Sequence, residues 1–173
     1  MRQQFVCGQI ARLASDELDL DNRTWHIPAE RAKNGRQHEV GQSDLAMEII
    51  NSLPRFVDGH YVFASTRDDA KPAAGFVYSK QKVIDHMVSA EHWRLHELRR
   101  TATKGMARLG IPPHVADKVL NHQSGTIAWV AAVYTRFQYR EERRAALETW
   151  GGFVERLVYP DRAQANVVAL HGS

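Results

Sequence analysis

The sequence has one cysteine, Cys7, among 173 residues. No disulfide can form within the chain, so its stability has to come from packing. No apolar run approaches the roughly 18 residues that suggest a membrane span. The opening residues, MRQQFVCGQI, lack the sustained apolar stretch of a signal peptide. Internal repeats and low-complexity segments are absent too, which excludes solenoid and other repeat architectures. These absences leave a soluble protein of a reducing cytoplasm as the expectation. Charged residues at 25% and hydrophobic ones at 43% fit that class, and the length suits one domain with a real core.

What is present leans positive. A net charge of +3 and a pI near 9.2 leave nucleic acid open as a partner without demonstrating it. Nine histidines are more informative, because imidazole exchanges protons near neutral pH.

Hydrophobic periodicity predicts a mainly helical chain with one small antiparallel sheet, an α+β class. RQQFVCGQIARLA reads as a helix with Phe5, Ile10 and Leu13 on one side. A first short strand in LDLDNRTW, then TWHIP and HEVGQ, read as three strands. Asn34-Gly35 in AKNGR predicts a tight turn between the second and third, flanked by Lys33 and Arg36. Further helices are predicted in SDLAMEIINSL, with Ser43 as N-cap and Pro54 beyond its end, and in GFVYSKQKVIDHMVSA. HELRRTATKGMARLG should close at Gly110, and PPHVADKVLNH restart on proline. GHYVFAS suggests a brief extended piece, and TIAWVAAVYTRF is apolar and ambiguous. REERRAALETWGGFVERLV reads as a helix loosened at Gly151-Gly152, followed by a flexible tail over 159–173.

The stretch LHELRR, Leu95–Arg100, poses the chemical question. Residues three and four apart share a helix face, so His96, Arg99 and Arg100 should lie close together while Leu95 and Leu98 turn to a core. Clustered cations repel unless an anion sits among them. The cluster is either a solvated basic helix start or a phosphate site.

Read in order, the segments resemble the catalytic domain of the tyrosine recombinases, the phage integrase family, of the kind encoded in prophages and islands. HELRRTATKGMARLGIPPHVADKVLNHQSG is similar to the H-x-x-R helix and the L-G-H segment that follows it. VAAVYTRFQYREERRAALETWGGFVERL resembles the nucleophile region, and TWHIPAERAKNGRQHEVGQS the lysine-bearing hairpin. The resemblance spans roughly Gly8 to Val158. It implies a catalytic domain over 1–158 that cuts and rejoins double-stranded DNA through a 3′-phosphotyrosine, with no metal or cofactor. Such chemistry keeps the phosphodiester energy in a covalent bond. It needs guanidinium groups on the phosphate oxygens and a proton for the leaving 5′-oxygen.

By the resemblance Tyr134 is the nucleophile, Arg99 a clamp on the scissile phosphate, and His96 its partner one turn earlier. His122 matches the later histidine, although Asn121 stands where the family usually has glycine. Lys33 matches the lysine that protonates the 5′-hydroxyl, and Arg100 lies beside the site. Without the match each has a plainer role: a core tyrosine, a solvated hairpin lysine, a histidine at a helix C-terminus.

The pattern breaks most at its start. The family reads G-Q-R-x-x-E near the start of this domain, whereas here Gly8-Gln9 runs directly into IARLASDELDLD. Four residues, including the first catalytic arginine, are missing. Arg12 or Arg2 are the candidates to replace it. A four-residue deletion rotates a helix by only about 40°, which leaves Arg12 on its own face. The N-terminal DNA-clamp domain of integrases does not fit before Gly8 either. A catalytically inactive DNA-binding integrase remnant is therefore the alternative reading. A metal hydrolase using His92 and His96 lacks the glutamate that would follow the first histidine, since Trp93 stands there. A type IB topoisomerase shares the tyrosine chemistry. The resemblance further implies a homotetramer on DNA, exchanging a segment hinged at Gly151-Gly152, a monomer when free, and a nucleoid-associated location with no membrane.

Overall fold

The structure is a computed structural model that describes residues 8–32, 35–55, 59–88, 93–121 and 139–164. Strands β1 (Leu18–Asp19), β2 (Thr24–Ile27) and β3 (His38–Gly41) form an antiparallel sheet in that order. Helices α1 (Asp44–Ser52), α2 (Phe76–Asp85), α3 (Leu95–Arg108), α4 (Pro113–Val119), α5 (Arg140–Val158) and α6 (Pro160–Gln164) follow. The α+β architecture is the expected one.

The β1–β2 turn forms where Asp19 accepts from the Asn22 backbone at 2.9 Å and Arg23 takes a positive φ of 51°. The β2–β3 connection departs from expectation. The paired strands stop at Ile27 and resume at His38, so they are not joined by a two-residue turn. Pro28 cannot donate to a ladder. The chain instead winds a helical turn, with Ala32 N donating to Pro28 O at 3.0 Å, which buries Ala32. Gly35 does adopt φ 63°; Lys33 and Asn34 lie outside the described residues.

Period-two alternation gives the sheet two different faces. Trp25, Ile27, His38 and Val40 share one side through the pairs Trp25↔Val40 and Ile27↔His38. Leu13, Trp25, Ile27 and Ala32 form the buried cluster there, with Leu18, Val40, Val62 and Phe63 against it. Thr24, His26, Glu39 and Gly41 share the other side, where α5 begins.

The first helix is shorter than its pattern suggested. Residues 8–11 are helical, but Leu13 and Ala14 leave the helix and Ala14 bridges to Tyr61, the extended piece expected in GHYVFAS. Ser43 caps α1 by accepting from Ala46 N at 3.4 Å. Gly110 ends α3 at φ 78°.

Gly151-Gly152 does not loosen α5, which is continuous over Arg140–Val158. A Cβ on Gly151 would overlap Ser43, and one on Gly105 would overlap the Trp150 ring. These glycines let α1 and α3 approach α5. The chain beyond is helical over Pro160–Gln164, where Arg162 pairs with Glu48 at 2.8 Å and stacks on Tyr159 at 4.1 Å. That part of the expected tail is therefore ordered against α1; residues 165–173 lie outside the description. No described helix is long and apolar enough to cross a membrane.

The α3–α5 contact gives a stability test. Gly105→Ala would add helix propensity, roughly 1 kcal/mol, yet it places a methyl inside a rigid indole. Overpacking of this kind costs about 1–3 kcal/mol. Urea unfolding should show Gly105→Ala less stable than the parent, and a gain in stability would mean that α3 and α5 do not meet at this point.

Candidate active site

The inward stripe of α3 is Leu95, Arg99, Ala102, Thr103 and Met106, the spacing of one helical face. Arg99 thus occupies a position that packing would normally give to an apolar residue. Glu97 fixes the helix start by accepting from Arg94 N at 2.8 Å. His96 and Arg100 are exposed. Leu98, which the sequence turned towards a core, is 57% exposed; the inward turn of Arg99 rotates Leu98 out.

Arg99 enters a cleft whose walls come from four elements: Gln9, Ile27 with Ala32, His38, and the Val119–Asn121 end of α4. A short helix ends with carbonyls that have no helical partner. Leu120 O accepts from Arg99 Nη2, and His38 and Val119 line the same cleft beside it. Asn121 then turns at φ 52°, the left-handed position that glycine favours and asparagine tolerates. The Asn-for-Gly departure in LNH is accommodated by this geometry.

Burial lowers the pKa of Arg99, but a guanidinium remains charged. His38 is lowered further, to about 4, first by burial and then by the Arg143 guanidinium; Arg99 adds to this, while Glu39 and the Val119 carbonyl oppose it. The imidazole is neutral at physiological pH.

On the opposite sheet face, Arg140, Arg143 and Arg144 of α5 meet Thr24, Glu39 and Gly41. Arg143 donates to Tyr139 O at 3.1 Å and to Glu39 O at 3.3 Å. Arg140 pairs with the Glu39 carboxylate at 3.2 Å. Glu39 also faces His26 at 3.7 Å. Arg140 and Arg143 are engaged in fastening α5 to β3.

At the cleft's other edge, Arg31 pairs with Glu17 and donates to Gln9 O at 3.0 Å, while Gln9 Nε2 donates to Arg31 O at 3.2 Å. This exchange sets the helical turn of 8–11 beside the cleft. Glu17 also accepts from Trp25 Nε1 at 3.1 Å. Arg12 is exposed and does not line the cleft. Among the described residues, Arg99 is the one arginine that does.

Residues 7–141 match the phage integrase family. The chain belongs to that family. Prophage integrase IntA of Escherichia coli (strain K12) is 28% identical over 153 residues, covering 86% of this chain and 35% of IntA. The integrase of Shigella phage Sf6 is 25% identical over 146 residues, covering 82% of this chain and 36% of that protein. The chain spans about a third of the length of these curated relatives. No solved structure matches it.

Of the residues that the integrase resemblance assigned, the structure describes Arg99 and His96. It brings Arg99 into the cleft and leaves His96 on the helix surface one turn away. Tyr134, His122 and Lys33 lie outside the described residues, as do His92 and Arg2. Sequence reasoning missed His38 and Gln9. The signal for His38 was available: it alternates with Val40 onto the core side of β3.

His38 makes acid stability testable. The unfolded chain takes up its proton near pH 6.5, the folded chain only near 4. Between those values the unfolded state binds more protons, so stability falls as pH drops. At about 1.4 kcal/mol per pKa unit, the full loss is roughly 3 kcal/mol. Urea midpoints at pH 7 and pH 4 should fall less for His38→Asn than for the parent, and equal falls would show that His38 is not buried neutral.

Proposed function

We propose that this chain is the catalytic domain of a tyrosine recombinase, and that Tyr134 attacks a DNA phosphodiester to give a 3′-phosphotyrosine. The observation that carries the reading is Arg99: a half-buried guanidinium on an inward helix stripe, beside a cleft that no carboxylate lines among the described residues. A desolvated cation held by a helix-end carbonyl is poised for an anion. Arg99 clamps the scissile phosphate, His96 and His122 assist at its oxygens, and Lys33 supplies the proton to the 5′-oxygen. Double-stranded DNA is the substrate, bound by a tetramer that is monomeric when free, over a catalytic unit of residues 1–158.

That Arg99 is the one arginine lining the cleft among the described residues favours a second reading, in which the fold binds DNA but cleaves slowly or not at all. Removing one preorganised donor to a developing oxyanion costs about 10²–10³ in rate.

A duplex nicked so that the cleaved end diffuses away traps the covalent complex. The parent should accumulate it slowly, Tyr134→Phe not at all, and Arg99→Ala about 10²–10³ times more slowly than the parent. No trapped complex from the parent would leave the DNA-binding reading.

Restoring the missing turn tests the cause of slowness. Inserting Arg-Ala-Ala-Glu between Gln9 and Ile10 should raise trapping by about 10²–10³-fold. An unchanged rate would mean that the first arginine does not limit the reaction.

A further inference from the structure

Besides Arg99, the polar residues that line the cleft are Gln9, His38 and Asn121, and among the described residues no carboxylate joins them. The space is about 120 Å³, well beyond what one water needs, and it has room for the oxygens of a phosphate group. Gln9 sits at the point where the chain departs from the family pattern. The next residue, where G-Q-R has its arginine, is Ile10, which is 44% exposed and does not line the cleft.

Gln9 is half-buried and held in place. Its Nε2 donates to Arg31 O at 3.2 Å, which sets the nitrogen towards that carbonyl, since the amide oxygen there would face another oxygen. Its own carbonyl accepts from Arg31 Nη2 at 3.0 Å. Arg31 is paired with Glu17, whose carboxylate also accepts from Trp25 Nε1 at 3.1 Å. An amide nitrogen carries two hydrogens, and no hydrogen bond among the described residues uses the second one.

We propose that Gln9 is a second ligand of the phosphate that Arg99 binds: its second Nε2 hydrogen donates to a non-bridging oxygen. The cleft then offers one cation and one neutral donor. That the phosphate is a DNA phosphodiester rests on the recombinase reading; the pairing of Gln9 with Arg99 around an anion does not. A neutral amide supplies a hydrogen bond to a charged oxygen without the Coulomb attraction of a guanidinium. Gln9 therefore strengthens the hold on the phosphate more than it balances the charge that develops on cleavage.

The test is a titration of the full chain with inorganic phosphate at constant ionic strength. Nitrogen-15 spectra follow the glutamine side-chain amides and the arginine Nε groups, with Gln9 and Arg99 assigned from Gln9→Met and Arg99→Lys. In the parent, the Gln9 amide and Arg99 Nε signals should shift together and saturate at one phosphate concentration, while the exposed Arg12 should not saturate with them. In Gln9→Met, with the amide spectrum otherwise native, the Arg99 shift should need about tenfold more phosphate, the effect of losing a hydrogen bond to a charged group. Gln9→Glu should abolish the shift, because its carboxylate would occupy the place of the anion. A Gln9 that only fastens its turn to Arg31 would lower the urea midpoint of Gln9→Met and leave the phosphate affinity of the folded variant unchanged. That unchanged affinity overturns the proposal, as does a Gln9 signal that phosphate does not move or a parent that binds no phosphate at Arg99. Failure of both variants to fold would make Gln9 a residue of the turn alone and overturns it also.

Short duplex DNA separates the two sources of phosphate. It should move the same two signals at a far lower concentration than inorganic phosphate, because neighbouring phosphates add their own contacts. Shifts with inorganic phosphate and none with duplex would overturn the phosphodiester as the ligand. If the parent traps no nicked duplex, the cleavage reading fails, and the phosphate titration still decides the role of Gln9.

Discussion

The bond from Arg99 to the end of α4 is the constraint on which the cleft depends. A half-buried carbonyl needs a donor, and a buried polar group left unpaired costs about 1–3 kcal/mol. Among the described residues the donor to Leu120 O comes from outside the helix: Arg99 bonds it, which draws α3 onto the end of α4, with His38 of β3 lining the same cleft. The partial negative charge of a helix C-terminus, equivalent to about half an elementary charge, offsets part of what it costs to bury Arg99. That compensation is incomplete, since about half an elementary charge does not balance a full positive one.

Much of the fold was legible because its signals are local. Ser43 before an amphipathic run, Gly110 after one, and proline opening α4 each name a helix boundary through backbone chemistry. Strands β2 and β3 were visible through alternation. The failures occurred where local preference met packing. Asn34-Gly35 favours a tight turn, but burial of Ala32 stretched the connection into a longer loop. Gly151-Gly152 looks like a hinge in one dimension; in three, Gly151 is the space that Ser43 and the α1 cap require.

The site was legible to a different degree. Arg99 could be located by its motif, yet no local rule says that it takes an inward stripe position while Leu98 faces out. That choice is made by the α4 end, far from LHELRR in sequence. His38 was passed over because a histidine in a strand carries no motif, although its alternation with Val40 placed it inside. The Asn121 departure from the family's glycine is a conservative one, since both asparagine and glycine reach the left-handed turn at that step.

Strand β3 joins the two halves of this arrangement. Its consecutive residues point to opposite faces, so His38 lines the cleft beside the end of α4 while Glu39 holds the start of α5 through Arg140 and its own carbonyl to Arg143. The two residues are neighbours on a paired strand, whose ladder to β2, Ile27↔His38 and His26↔Glu39, fixes their separation. Side-chain chemistry is matched to each face: a neutral imidazole where Arg99 enters the cleft, and a carboxylate where three arginines converge. Exchanging the two residues would put a carboxylate in the cleft beside Arg99 and remove the one that Arg140 pairs with. The alternation of a four-residue strand therefore sets both the electrostatics of the cleft and the anchoring of α5.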